Sequence, residues 1–154
     1  RGRLCCHKLY FVRRNQLIEA PKIVGDGPIV MVDDSESDAY LARKCYEKSS
    51  LTNEFVWLQD GEELIELLDG VKAGHSPMPA LVLLDINMPH INGFELLAKI
   101  RSVPEFEVIP IITMLTNSND PADIQKSKDL GADGYYTKPS EISDFVNFYN
   151  SLSD

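Results

Sequence analysis

The sequence predicts an α/β domain: a five-stranded, doubly wound parallel sheet of order 2-1-3-4-5, with helices on both faces. Three observations carry this expectation. Apolar runs suited to strands begin near residues 29, 53, 80, 109 and 134, at intervals of 24–29 residues. Segments of helical periodicity alternate with them, which is the pattern of a parallel sheet flanked by helices. The run Leu81–Leu84 is uninterrupted and ends in Asp85, as fits a strand buried on both faces whose last residue leaves the core.

The elements follow in chain order. Ile29–Val32 is a short apolar strand ending in Asp33-Asp34. Ser35–Ser49 follows, with Ala39, Tyr40, Leu41, Cys45 and Tyr46 on roughly helical spacing. Asn53–Gln59 is rich in aromatic and β-branched residues and reads as a strand. Asp60 with Glu63 forms a capping-box signal for the next helix, whose apolar side is Leu64, Ile65, Leu67, Leu68 and Val71. Gly74, Pro77 and Pro79 mark the loop back to Ala80–Asp85. Asn92 and Glu95 start another capped helix, continued by Leu96, Leu97 and Ile100. Ile109–Leu115 is the fourth strand, closed by Thr116. Asn119 or Asp120 caps the helix after it, with Pro121 in its first turn and Gly131 as its stop. Gly134–Thr137 is the fifth strand, ending at Lys138-Pro139, and Ser140 is expected to cap a last helix containing Phe145, Val146, Phe148, Tyr149 and Leu152.

The domain boundary falls at Gly25-Asp26-Gly27-Pro28. Residues 1–28 are expected to be a basic extension, poorly ordered or forming one short helix, and, since the chain opens on Arg1, either part of a longer protein or added residues. Charge divides at the same place. Residues 1–28 carry six Lys/Arg against two Asp/Glu, and residues 29–154 carry nine against twenty-two, local nets of +4 and −13. The acidic body argues against nucleic-acid binding, which rests on cationic contacts to phosphate. No run approaches the roughly 18 apolar residues of a membrane span. Three cysteines with no spacing pattern read as reduced thiols in a cytoplasmic protein. Cys5, Cys6 and His7 fall short of the about four ligands a structural zinc site needs. His7, His75 and His90 read as ordinary surface residues.

A doubly wound sheet binds ligands at the carboxyl ends of its strands, at the switch point between the first and third. Here those strands end in Asp33-Asp34 and Asp85. Thr116 and Lys138 end the fourth and fifth strands on the same rim. Carboxylates about 4 Å apart repel by roughly 4 kcal/mol per ionised pair at an effective dielectric near 20, so cations must offset them. Lys138 supplies one charge. Mg²⁺, a hard ion that takes oxygen ligands and keeps several waters, suits the remainder. A carboxylate beside Mg²⁺, an ammonium and a hydroxyl can carry phosphoryl transfer: the carboxylate attacks phosphorus while the others neutralise and hydrogen-bond the equatorial oxygens. Asp85 stands alone on the central strand and is the expected nucleophile. Asp33 and Asp34, a pair, are the expected metal holders.

Asp33-Asp34, Asp85-Ile86-Asn87-Met88-Pro89, Gly93, Thr116 and Lys138-Pro139, in this order and at these strand ends, resemble the receiver domain of two-component response regulators, a flavodoxin-like fold. The likeness covers about 29–152, and L-T-N-S-N-D-P and K-S-K-D-L-G-A-D-G-Y resemble a stand-alone bacterial subgroup that includes partners of phytochrome-type kinases. The resemblance implies that Asp85 accepts phosphate from a histidine kinase. It implies that Asp34 and Asp85 bind Mg²⁺ by side chain, Asn87 by its backbone carbonyl and Asp33 through water. It further implies that Thr116 is a switch hydroxyl, that Tyr135 is an aromatic switch following it, and that Lys138–Pro139 is a cis bond. A downstream partner, or a second copy of the chain, is expected on the face formed by Asp123–Leu130, Tyr135 and Glu141–Leu152. Asn117 departs from the family, which has a small residue there, and would narrow access to the phosphoryl group.

Plainer assignments stand beside these. Asp33 and Asp34 suit a helix cap, Asp85 a turn, Thr116 a helix entry, Lys138 the solvent and Tyr135 simple packing. A receiver-like scaffold that binds a partner without being phosphorylated is the competing function. An aspartate-nucleophile phosphatase is disfavoured, since such enzymes want an acid two residues past the nucleophile and this chain has Asn87. The expected protein is therefore a phosphoacceptor switch that acts on no free substrate.

Overall fold

The computed structural model describes residues 9–13, 16–118 and 120–153. Among the described residues, seven strands, β1 (Leu9–Arg13), β2 (Gln16–Ile18), β3 (Ile29–Val32), β4 (Phe55–Leu58), β5 (Leu81–Asp85), β6 (Ile111–Thr116) and β7 (Gly134–Thr137), form one sheet of order β2-β1-β7-β6-β5-β3-β4. From β3 onward the pairing is parallel. Counted from β3, the core order is 2-1-3-4-5, as the sequence predicts. Five helices connect the strands: α1 (Glu36–Glu47), α2 (Gly61–Lys72), α3 (Gly93–Arg101), α4 (Pro121–Asp129) and α5 (Ile142–Ser151), with a 3₁₀ turn at Pro104–Phe106.

The strand period of two sorts the core into two layers. Ile29, Met31, Leu81 and Leu83 pack with Ala39, Ala42, Cys45 and Tyr46 of α1 and with Phe145, Phe148 and Tyr149 of α5. Val30, Val32, Val82 and Leu84 pack with Leu64 and Leu68 of α2 and with Leu96, Leu97 and Ile100 of α3. Every residue of β3 and β5 is buried, so these strands need apolar side chains on both faces, which is why their sequences do not alternate. Aromatic packing ties α5 down: Tyr136 stacks on Phe148 at 4.4 Å between centroids, and the Tyr149 hydroxyl donates to the Ala42 carbonyl at 3.1 Å.

The caps fix where helices begin. Asp60 accepts from the Glu63 amide, and Asn92 and Glu95 close a reciprocal capping box. Asp120 caps α4, and Asn119 lies outside the described residues. Gly131 follows α4 with φ 100°, the left-handed conformation that favours glycine at a helix stop. Ser140 does not cap α5: the helix starts at Ile142, Glu141 takes the cap position, and no side chain bonds into that cap. The X-Pro bond that is cis among the described residues is Ile109–Pro110, not Lys138–Pro139.

Residues 9–18 depart furthest from expectation. They form neither a helix nor a loose tail. β1 pairs antiparallel with the outer edge of β7, with Leu9 opposite Tyr136, Tyr10 opposite Tyr135 and Phe11 opposite Gly134. The Val12 amide donates to the Asp133 carbonyl at 2.7 Å. Phe11 is buried in the α1/α5 layer. A Cβ on Gly134 would lie 2.8 Å from the Phe11 ring and 2.9 Å from the Tyr10 carbonyl, so glycine is what lets β1 close on β7. Cys5, Cys6 and His7 lie outside the described residues. No helix among the described residues is long and apolar enough to cross a membrane.

Candidate functional site

The carboxyl ends of β3, β5, β6 and the loop after β7 converge as the sequence predicts. Asp33 leaves β3 fully buried. Its Oδ1 accepts from the Ser35 amide at 2.9 Å and its Oδ2 from Lys138 Nζ at 2.9 Å. Its own backbone is fixed as well, the amide donating to the Leu58 carbonyl and the carbonyl accepting from the Trp57 indole N–H at 2.8 Å. Asp34 follows with its side chain exposed. Neither aspartate is the α1 cap: Ser35 holds that place, its hydroxyl accepting from the Asp38 amide.

Asp85 ends β5 and is 5% exposed. Oxygen atoms of Asp33, Asp34 and Asp85 all lie within 4.8 Å of one another. Burial pushes the Asp85 carboxyl up to about 6, and the charges of Asp33 and Asp34 push the same way, while Lys138 opposes them. This is a site with more anionic charge than its own residues neutralise. Gly93, at the start of α3, keeps that helix close: a Cβ there would collide with the Asp85 carbonyl oxygen. Asn87 sits two residues past Asp85 in the exposed loop, and His90 turns that loop with φ 69°.

Lys138 Nζ reaches three carboxylates: Asp38 at 2.8 Å, Asp33 at 2.9 Å and Asp85 at 3.5 Å. Burial works against its charge, but the two short bonds and the nearby Asp85 outweigh it and hold the ammonium above its ordinary range. The Lys138 amide donates to the Thr116 carbonyl at 2.7 Å, which locks the ends of β6 and β7 together. Thr116 is buried, and its hydroxyl oxygen accepts from the Ser118 amide at 3.1 Å. Tyr135 is 2% exposed, and its hydroxyl donates to the Ser118 carbonyl at 2.7 Å. Burial, with Asp123 second, pushes that hydroxyl up to about 12. Thr116 and Tyr135 therefore hold the same residue from its two ends. Asn117 is exposed and borders a cleft of about 80 Å³ with Asp38, Lys138 and Phe145.

Two residues here, Trp57 and Asp38, were not singled out from sequence, whereas Ser118, like Asn87, occupies a position that the family resemblance implies tunes hydrolysis rate. Trp57 donates its indole N–H to a backbone carbonyl, a partner for which sequence offers no signal. Asp38 had one: it lies in the first turn of the helix that starts at the site, where its charge reads as ordinary helix-end chemistry.

The donor set suits a hard divalent cation: three carboxylates, no thiol or imidazole, and negative charge in excess. The chain is similar to known proteins. Residues 29–150 match the model of the response regulator receiver domain. Response regulator Rcp1 of a Synechocystis species is 32% identical over 125 residues, covering 80% of this chain and 84% of Rcp1. The crystal structure of the Mn²⁺-bound form of Rcp1 is similar with a TM-score of 0.69 at 31% identity, covering 82% of this chain and 91% of that one. The phosphorylated cyanobacterial phytochrome response regulator RcpA is similar with a TM-score of 0.71 at 30% identity, covering 83% and 91%.

Proposed function

The chain belongs to the response regulator receiver domain family of two-component signalling, and from that premise we propose that it is a cytoplasmic switch phosphorylated on Asp85 by a histidine kinase. One observation carries the proposal. The Asp33, Asp34 and Asp85 oxygens lie within 4.8 Å of one another, beside a single ammonium. That gathering is unfavourable by itself and suits a bound Mg²⁺. Asp34 and Asp85 would hold the ion by side chain, Asn87 by its carbonyl and Asp33 through water. The ion supplies positive charge against the equatorial phosphoryl oxygens. An Asp85 oxygen attacks phosphorus, the P–N bond of the phosphohistidine breaks, and its electron pair returns to the imidazole. Lys138 offsets charge on the phosphoryl group.

Thr116 is the proposed switch hydroxyl. On moving to a phosphoryl oxygen it releases the Ser118 amide, and Tyr135, bonded to the same residue, responds. Output follows on the α4–β7–α5 face, since phosphate acts only by favouring one conformer. The chain's own β1 occupies the β7 edge there, so the surface left for a partner or second copy is that of α4 and α5. Hydrogen exchange should change on α4 and β7 on phosphorylation. An unchanged pattern would remove the switch from this face.

Intact mass after incubation with acetyl phosphate and Mg²⁺ tests the phosphoacceptor. The expected result is one added phosphoryl group, absent in Asp85→Asn. No gain in the wild type would favour the scaffold that is not phosphorylated.

A further inference from the structure

Lys138 makes its shortest contacts away from the residue it is expected to serve. Its short hydrogen bonds go to Asp38 at 2.8 Å and Asp33 at 2.9 Å, while Asp85 stands at 3.5 Å, beyond ordinary hydrogen-bond length. Asp38 differs from the other acids at the rim. It belongs to α1, with its amide bonded to the Ser35 hydroxyl, and it is not one of the three residues whose oxygens gather as a metal set. Its side chain is 40% exposed and that of Lys138 11%.

We propose that Asp38 is a positioning residue for phosphoryl transfer, drawing the Lys138 ammonium off Asp85 so that the nucleophilic oxygen keeps a free lone pair. The inference rests on Asp85 being the phosphoacceptor. An ammonium has three N–H donors. Asp38 and Asp33 take two, and the third stays within a short reach of Asp85, where a phosphoryl oxygen arrives. Asp33 would also face a bound metal ion, and Asp38 would then remain the anchor that the ion does not use. Without Asp38, the ammonium settles on Asp85 itself, and each attack must first break that bond. When Asp85 attacks acetyl phosphate, the P–O bond breaks and acetate leaves with its electron pair, so Asp38 takes no part in bond making.

A double-mutant cycle tests this at saturating Mg²⁺, using the rate of acetyl phosphate labelling followed by intact mass. Asp38→Asn should slow labelling about fivefold, or about 1 kcal/mol in barrier. In a Lys138→Met background the same change should make no further difference. Equal slowing in both backgrounds would show that Asp38 acts by its field or through the fold, and faster or unchanged labelling in Asp38→Asn alone would equally overturn the proposal. A second readout needs neither metal nor turnover. In ¹⁵N-lysine NMR of the metal-free protein, the Lys138 ammonium should change its shift and exchange faster with water in Asp38→Asn, with the other lysines unmoved. An unchanged Lys138 signal would remove the tether. If the wild type takes no phosphate while the NMR change appears, the phosphoacceptor assignment fails and the tether stands.

Discussion

Two ionic clusters sit at opposite ends of one sheet, and they are balanced differently. At the amino end, Arg101 leaves α3 and meets Asp133 just before β7. Its guanidinium donates to Asp133 at 2.8 Å, to the Gly131 carbonyl at 2.9 Å and to the Phe106 carbonyl at 3.0 Å. The same Asp133 oxygen accepts from the Ile112 amide at 2.9 Å. Burial lowers the guanidinium's affinity for its proton, and Asp133 opposes that. Here the Arg101 guanidinium pairs directly with Asp133, and the contact staples α3 to the starts of β6 and β7. At the carboxyl end, Asp33, Asp38 and Asp85 share Lys138, with Asp34 close by. The direct pair serves the fold, whereas carboxylates gathered in excess are a standing cost that a cation would relieve. The gathering of carboxylates, not the presence of buried charge, marks the site.

The largest effect is expected at Arg101. Arg101→Met removes the guanidinium from Asp133 and from the Gly131 and Phe106 carbonyls, and should destabilise by about 3 kcal/mol. Urea unfolding reads this, and Mg²⁺ affinity should be unchanged. The opposite sign is expected at the other end. Asp85→Asn should stabilise the metal-free protein by about 2 kcal/mol at neutral pH. The pH dependence gives the signature. The folded carboxyl titrates at about 6, above its ordinary 3.8, so on raising pH the unfolded chain loses this proton first. Its contribution to stability falls between about pH 4 and 6 and stays low above. The advantage of Asp85→Asn should therefore be absent near pH 3.5 and full by pH 7. A constant difference across that range would mean that the carboxylate is not strained.

Smaller effects sharpen the contrast. Gly134→Ala pushes a Cβ into the Phe11 ring and should loosen β1 from β7, seen as faster exchange of the Tyr10 and Val12 amides with labelling of Asp85 retained. Asp34→Asn, at an exposed position, should raise metal-free stability slightly and weaken Mg²⁺ binding. Loss of about 1 kcal/mol or more there would point instead to a role at the start of α1.

How much was legible follows from the kind of signal. β3, β5 and β6 are apolar runs that end in a functional group, so the sheet and its rim could be read together. Asp60, Asn92 and Asp120 announced helix starts by their own side-chain chemistry. β1 could not be read, because Arg13 and Arg14 interrupt its pattern and its partner lies more than a hundred residues away. Antiparallel pairing onto an existing edge needs only backbone and one glycine, and neither stands out in a sequence. Asp38 and Asp133 were missed for a related reason. A lone carboxylate near a helix start or in a turn has an ordinary local use, and only the fold reveals the distant cation it meets.

Thermal unfolding with and without Mg²⁺, on the wild type, Asp85→Asn and Arg101→Met, tests the excess of carboxylates around Asp85 most directly. Millimolar Mg²⁺ should raise the midpoint of the wild type and of Arg101→Met by similar amounts, and most of this gain should be lost in Asp85→Asn. A Mg²⁺ shift that survives in Asp85→Asn, or that is missing from the wild type, would contradict it.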